Sequence, residues 1–319
     1  MRHSLKDSLE RRFRTPQFVA AYVCICLLPL CSLFLPLPAL AADFQNSPVV
    51  RILYTADTLG HIHPCRTCGD ASQGGLARRT ALLKTYAATW EQPLILAGPN
   101  EFYSDTADPL PGTADSLAPI LHAAFGSMPY TAVYLGPVTT ADWRSRKFPP
   151  LPNGQPVADQ PVTRVFPVGM LTVACVFLPP GAHKDGSPSP DQILAAQRAA
   201  REARSTAKLV IAISPWGIQA ENNLASAFSG YYDILLGGGK GIAVPGQATG
   251  DTAFPGPLWL RSDRRGRAVN ELVIHSLPVP GTAWIEGVHF SSRLLFLDRE
   301  LPQDNAVLDL IRHLDPAVP

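Results

Sequence analysis

Residues 57 to 79 read DTLGHIHPCRTCGDASQGGLARR, and they hold the densest set of reactive side chains in the chain. His61, His63, Cys65 and Cys68 fall within eight residues, and Asp57 stands just before them. Three chemistries fit those residue types. Cys65-Arg66-Thr67-Cys68 has the spacing at which two thiols exchange with a disulfide, and Arg66 with the nearby imidazoles would raise the thiolate fraction. His61, His63 and the two cysteines together offer the borderline and soft ligands of a mononuclear zinc site, though wrapping one ion within eight residues is geometrically tight. The third chemistry is a plain disulfide that staples a loop and stabilises the fold by about 2 to 3 kcal/mol through restriction of the unfolded chain. Gly69 after Cys68 excludes c-type haem attachment, and no thioredoxin-like βαβ context surrounds the pair.

Other candidates are sparser. GGGKG (237 to 241) lacks the length and the Ser/Thr of a phosphate-cradling P-loop, so it reads first as a tight turn. The backbone of Gly239 and the ammonium of Lys240 could still hold an anion. Arg78 and Arg79 fall in the first turns of a helix, where solvated or structural roles come before substrate contact. His183, His275 and His289 are isolated, and packing is the first explanation of Trp216.

The elements that would position these residues alternate in kind. Apolar runs at 49–56, 93–98 and 131–136 read as buried strands, separated by helical patterns at 76–88 and 115–125 and followed by a short helix from Thr139. Residues 162–178 read as two strands turning at Gly169-Met170. A long helix over 190–207 leads into KLVIAIS, a helix near 220–228, YDILLGGG, the strand-like PGPLWLRS and AVNELVIHS, and a closing helix near 306–314. This rhythm predicts an α/β fold in a single domain, with no repeat and no break in composition.

The first forty residues differ from the rest. Arg2, Lys6, Arg11, Arg12 and Arg14 precede an apolar run from Phe18 to Leu35, and Ala39-Leu40-Ala41 follows. That layout is a secretory signal over 1–41, cleaved near Ala41, ahead of a domain over 42–319 in the periplasm. An uncleaved membrane anchor is the alternative, because the apolar run approaches the length of a bilayer span. Beyond residue 41 the chain carries 22 Lys+Arg against 24 Asp+Glu, which leaves no basic excess for nucleic acid. In an oxidising compartment the close pair Cys65 and Cys68 can bridge, and Cys175 reads as a buried, inert thiol.

Taken in order, ILYTADTLGHIHPC, GGLARRTALLK, LILAGPNEFYSD, AVYLGP, ISPWG and YDILLGGGKG resemble the catalytic domain of the 5′-nucleotidase branch of the calcineurin-like metallophosphoesterases, in particular its exported UshA-like proteins. The resemblance covers Val49 to Leu314 and implies a four-layer α-β-β-α sandwich. It also implies two divalent metals, zinc or manganese, held by His, Asp and Asn at strand ends. The ligand motifs have drifted. Asp-x-His is Asp57-Thr58-Leu59, and Gly-Asp falls on Gly98-Pro99 or, in a second register, puts Glu101 in the ligand position. Gly-Asn-His is Gly136-Pro137-Val138, Ser-His-x-Gly is Ser214-Pro215-Trp216-Gly217, and Gly-His-x-His is Gly238-Gly239-Lys240-Gly241. Asp57 and Glu101 remain, too few to hold a binuclear centre.

The resulting expectation is an exported 5′-nucleotidase-like protein without the binuclear site and without a resident cofactor. Its active residues would be Cys65 and Cys68, and its partner a thiol redox protein or a small phosphorylated ligand. Residual metal-dependent hydrolysis is one alternative. A non-catalytic scaffold with a structural disulfide is the other.

Overall fold

The strand VRILYT (β1, Val50–Thr55) is buried along its length apart from Arg51, which requires cover on both faces. The computed structural model describes residues 49–65, 72–102, 114–225, 227–250 and 253–314. The signal-like segment and Cys68 lie outside them. Within Asn46–Pro319, which forms one compact unit, β1 is followed by the two-residue strands β2 (Pro64–Cys65) and β3 (Gln73–Gly74), then α1 (Leu76–Thr89) and β4 (Leu94–Ala97). Next come α2 (Ala114–Ser127), β5 (Ala132–Leu135), α3 (Pro137–Ser145), β6 (Gly154–Pro156), β7 (Val162–Val168) and β8 (Leu171–Phe177). The second half supplies α4 (Pro190–Arg204), β9 (Leu209–Ser214), α5 (Gly217–Leu224), β10 (Ile234–Gly237), β11 (Val244–Gly250) and β12 (Pro255–Arg261). A 3₁₀ turn at Arg264–Gly266, β13 (Ala268–Ile274), β14 (Phe290–Phe296) and α6 (Asn305–Leu314) complete it.

Two six-stranded mixed sheets result, ordered β14-β13-β1-β4-β5-β6 and β11-β12-β10-β9-β8-β7. Each has four parallel strands, β1-β4-β5-β6 and β8-β9-β10-β12, with antiparallel strands outside them. Alternate residues of β1 point opposite ways. Ile52 and Tyr54 meet Cys175, Phe177, Ile213 and Leu236 of the second sheet, whereas Leu53 packs under the helices with Leu76, Leu83 and Phe125. On the far side, Val210, Ala212 and Leu235 pack against the small face of α4, Ala196, Ala200 and Ala203. The order is therefore helices, sheet, sheet, helices, the four-layer sandwich the resemblance implies.

Ser189 caps α4 in a reciprocal capping box with Gln192, and Pro190 takes the first helical position, so the long helix begins where its signals stand. The β7–β8 hairpin turns at Gly169-Met170 as expected. Several elements differ from the sequence reading. The helix after β9 runs over Gly217–Leu224 rather than near 220–228, and α3 starts at Pro137. Strands β6, β11 and β14 have no counterpart in that reading; β11 has three glycine or proline residues in seven, and all three are sheet-edge strands.

Tyr54 Oη donates to the carbonyl of Gly237 at 3.2 Å, and Asn270 Nδ2 donates to the carbonyl of Val244 at 3.3 Å. These bonds bring the carboxyl ends of the parallel strands of both sheets to one end of the sandwich. That is the end at which open α/β sheets place ligand sites.

Candidate functional site at the strand ends

Asp57 leaves β1 in a left-handed conformation, φ 56°, and Leu59 and Asn100 adopt the same region at 55° and 59°. Left-handed geometry is mildly costly for an aspartate and more so for a leucine. Three backbone hydrogen bonds hold it: Asp57 N–H to Pro99 O at 3.0 Å, Leu59 N–H to Asn100 O at 2.8 Å, and Gly60 N–H to Glu101 O at 3.0 Å. The loop after β1 is thus laced to the loop after β4, and the buried carboxylates of Asp57 and Glu101 enter different partner sets.

Asp57 Oδ1 accepts from Asn100 Nδ2 and from the amide of Gly239, each at 2.8 Å. Its own carbonyl accepts the amide of Arg265 at 2.7 Å. One residue therefore ties the ends of β1, β4 and β10 to the 3₁₀ turn. Burial pushes the Asp57 carboxyl up to about 7, against the opposing pull of the Asn100 and Gly239 donors.

Glu101 faces the helix side. Arg79 Nη1 donates to Glu101 Oε2 at 3.0 Å, and the pair is almost wholly enclosed. Thr58 Oγ1 also donates to Oε2, Thr55 Oγ1 donates to Oε1, and Arg79 Nη2 donates to Thr58 Oγ1 at 2.6 Å. The hydroxyl of Tyr130 lies 2.9 Å from that of Thr55. Burial opposes charge on Arg79, yet the Glu101 carboxylate outweighs it and raises the guanidinium further. Burial pushes Tyr130 up to about 12, so its phenol stays protonated.

A second enclosed pair lies under the glycine turn. Arg261 Nη1 donates to Glu221 Oε2, which also accepts Trp259 Nε1 at 3.1 Å. Arg261 Nη2 reaches the carbonyl of Gly239 at 2.9 Å, and Nε reaches that of Ile242 at 3.2 Å. Burial raises the Glu221 carboxyl, with Arg261 pulling it back. A Cβ on Gly237 would collide with Glu221, so glycine there leaves room for the pair.

The spaces between these networks are packed. Pro99 touches the backbone of Gly238, where an added Cβ would come within 2.5 Å of its Cγ. Tyr54 fills the space beside Gly98. In the 237–241 turn the Gly239 amide is spent on Asp57, and the Lys240 carbonyl accepts the amide of Ile218 at 2.9 Å. Of the two residues read as an anion site, only the exposed Lys240 side chain still faces outward.

The histidines and cysteines of the opening loop diverge. His61 is half-buried, and burial followed by the nearby Arg265 and Arg264 lowers its pKa. His63 lines a groove of about 190 Å³ with Arg78, Leu308, Ile311 and Arg312. Cys65, half-buried on β2, is disulfide-bonded; Cys68 falls outside the described residues. Cys175 is free, and burial pushes its thiol up to about 12, as an inert core residue requires. Trp216 is buried against Phe228 with its Nε1–H on the carbonyl of Pro179 at 2.7 Å, a packing role. Among the described residues, no three His, Cys, Asp or Glu side chains gather closely enough to hold a metal ion.

Of the solvated and structural roles that sequence reasoning offers for Arg79, the fold takes the structural one, with the side chain 1% exposed. A signal for this exists: Leu76, Arg79 and Leu83 stand at i, i+3 and i+7, on one face of α1. Glu221, Arg261 and Asn100 carry no comparable signal, because their partners come from distant strands.

No family model matches the chain, and no curated protein matches it. Solved structures do. A 5′-nucleotidase precursor from Thermus thermophilus superposes with a TM-score of 0.64 at 17% identity, over 84% of this chain and 59% of that one. The Thermus thermophilus sulfate thiohydrolase SoxB gives 0.63 at 15% identity, over 85% and 61%. The calcineurin-like phosphoesterase YfkN from Bacillus subtilis gives 0.60 at 12% identity, over 85% of this chain and 98% of that one. The chain spans about three fifths of the first two proteins and has the fold of the 5′-nucleotidases and calcineurin-like phosphoesterases.

Proposed function

We propose that this chain is an exported, 5′-nucleotidase-like protein in which an internal network of ion pairs replaces the binuclear metal site, and that it acts by binding rather than by hydrolysis. The Arg79–Glu101 pair carries this reading. Divalent metals need several anionic or lone-pair donors turned toward one point. Here both Glu101 oxygens already accept protein donors, one of them a guanidinium. Asp57 Oδ1 takes two N–H donors, and a carboxyl that titrates near 7 is half protonated at neutral pH. The side chains of Leu59, Pro137 and Pro215 offer no lone pair for a metal, and Pro99 packs onto Gly238. The residues present do not suit two metals, so no hydrolytic step is assigned to them. Export rests on the basic and apolar segment that ends at Ala41.

A second reading is thiol–disulfide exchange by Cys65 and Cys68 with a redox partner; the disulfide state of Cys65 and its half-buried place on β2 are compatible with it and equally with a structural staple. A labile pair would be reducible near the poise of cellular thiols, whereas a structural staple would hold a much lower potential.

The deciding experiment measures bound metal in the purified chain after incubation with manganese and zinc, alongside hydrolysis of a nucleotide and an aryl phosphodiester. Less than one metal per chain and no turnover is the expected result. About two metals with turnover that disappears in Asp57→Ala would overturn the proposal.

A further inference from the structure

Three arginines among the described residues are buried, and charge compensation divides them. Arg79 is paired with Glu101 and Arg261 with Glu221, whereas Arg78, 7% exposed, makes no ion pair with any described residue. Its Nη1 donates to the carbonyls of Ser72 at 2.7 Å, Gly74 at 3.2 Å and Leu297 at 3.4 Å. Its Nε has no acceptor among the described residues, and none of them accepts from Nη2. Nε and Nη2 together form the side-on edge of the guanidinium, which matches the two oxygens of a carboxylate. Burial lowers the Arg78 pKa, and Asp298 pulls it back from beyond ion-pair distance. A buried cation without a counter-ion is costly, so this edge calls for an anion.

Arg78 lines the groove of about 190 Å³ that lies between the start of α1 and α6, beside β2. The carbonyl of Ala77 accepts the amide of Asp304 at 2.9 Å, which joins the two helical segments next to it. α1 starts after Gly75 without a side-chain cap, and the amides of Ala77 and Arg78 meet no acceptor among the described residues. The positive end of a 14-residue helix therefore adds to the same wall. Arg312, exposed and 3.7 Å from Asp309, stands at the rim, and no carboxylate lines the groove among the described residues. Ile62, Pro64, Leu308 and Ile311 make the remaining wall apolar. We infer that this groove binds a small organic carboxylate, with its anionic end against Arg78 and its apolar body against Ile62, Leu308 and Ile311. Drug-sized sites hold about 300 to 1,000 Å³, so the smaller volume here limits that body to a single ring or a short chain. Inorganic phosphate has no apolar surface to bury against those walls. The groove uses none of Asp57, Glu101 or Glu221, so the inference stands apart from the fate of the metal site.

Isothermal titration calorimetry of the purified chain with benzoate, hexanoate, their neutral amides and inorganic phosphate tests this. A carboxylate is expected to bind, and its amide, which keeps the shape without the charge, to bind about tenfold or more weakly, as is phosphate. Arg78→Lys keeps a charge but loses the side-on edge, and Leu308→Trp fills the groove while leaving Arg78 in place. Each should weaken the tighter carboxylate about tenfold or more. Arg198→Ala, which removes an exposed charge on α4, should change it less than about twofold. Because Arg78 also braces three carbonyls, Leu308→Trp decides the question if Arg78→Lys lowers the melting temperature. The inference is overturned if neither carboxylate binds, if an amide or phosphate binds as tightly as the carboxylate, or if Leu308→Trp leaves carboxylate binding intact. About two bound metals with turnover would overturn the proposed function and leave this groove untouched, so either can fail without the other.

Discussion

Replacing Arg79 by methionine tests whether Glu101 belongs to a structural ion pair. Methionine keeps an unbranched apolar stem in the slot under Gly266 but removes the guanidinium, leaving Glu101 buried with only the Thr55 and Thr58 hydroxyls as donors. Breaking one side of a buried pair costs about 3 to 5 kcal/mol, because the remaining charge loses its counter-charge without regaining water. For a domain of this size that corresponds to a fall of about 10 °C in melting temperature.

The loss is read as the gap in melting temperature between wild type and variant in thermal unfolding at neutral pH. The double variant Arg79→Met/Glu101→Leu should lose clearly less than the two single losses added together. A change of less than about 2 °C in Arg79→Met would refute the pairing.

Four further outcomes are expected. Because the Asp57 carboxyl is raised from 3.8 to about 7 in the fold, its share of stability is full below pH 4 and is lost as pH rises through 7; Asp57→Asn, which keeps the Oδ1 acceptor, should flatten the stability profile over that range. Leu59→Gly relieves a left-handed leucine and should raise stability by up to about 1 kcal/mol in a denaturant titration. Gly237→Ala drives a methyl into Glu221 and should cost about 1 to 3 kcal/mol by the same titration. Cys65→Ser should lower stability by about 2 to 3 kcal/mol, with a matching loss on reduction of the wild type but not of the variant.

How legible each part was depends on how far apart its partners lie in the chain. The core strands β1, β4, β5, β9 and β10 are runs of four to six residues that are apolar almost throughout, because helices and a second sheet cover both faces, and such runs announce themselves. The start of α4 is encoded just as locally, by the Ser189–Gln192 box. Strand β11, VPGQATG, reads as a loop because its glycines and proline are tolerated only at the sheet edge where it lies, and that edge is a tertiary fact. The opening loop drew attention because its histidines and cysteines are adjacent in sequence. The ion pairs were hidden because Arg79 and Glu101 are 22 residues apart, and Arg261 and Glu221 are 40 apart.

On the proposed reading, the drift in the ligand motifs becomes coherent once charge is counted at the strand ends. The loops after β1 and β4 place Asp57 and Glu101, and α5 places Glu221, in surroundings that shed water. Buried carboxylates need compensation from a cation, from N–H donors or from a proton. In a binuclear phosphoesterase, divalent metals supply it. Here Arg79 serves Glu101, Arg261 serves Glu221, and Asp57 relies on Asn100, the Gly239 amide and partial protonation. Guanidiniums that come from the chain itself need no histidine ligands, which on the proposed reading explains why Leu59, Val138, Pro215 and Lys240 can stand where the family carries metal-binding or catalytic side chains. Restoring Leu59→His alone should therefore recover no metal binding, since the cations already in place repel a divalent ion and, among the described residues, no third ligand stands near it.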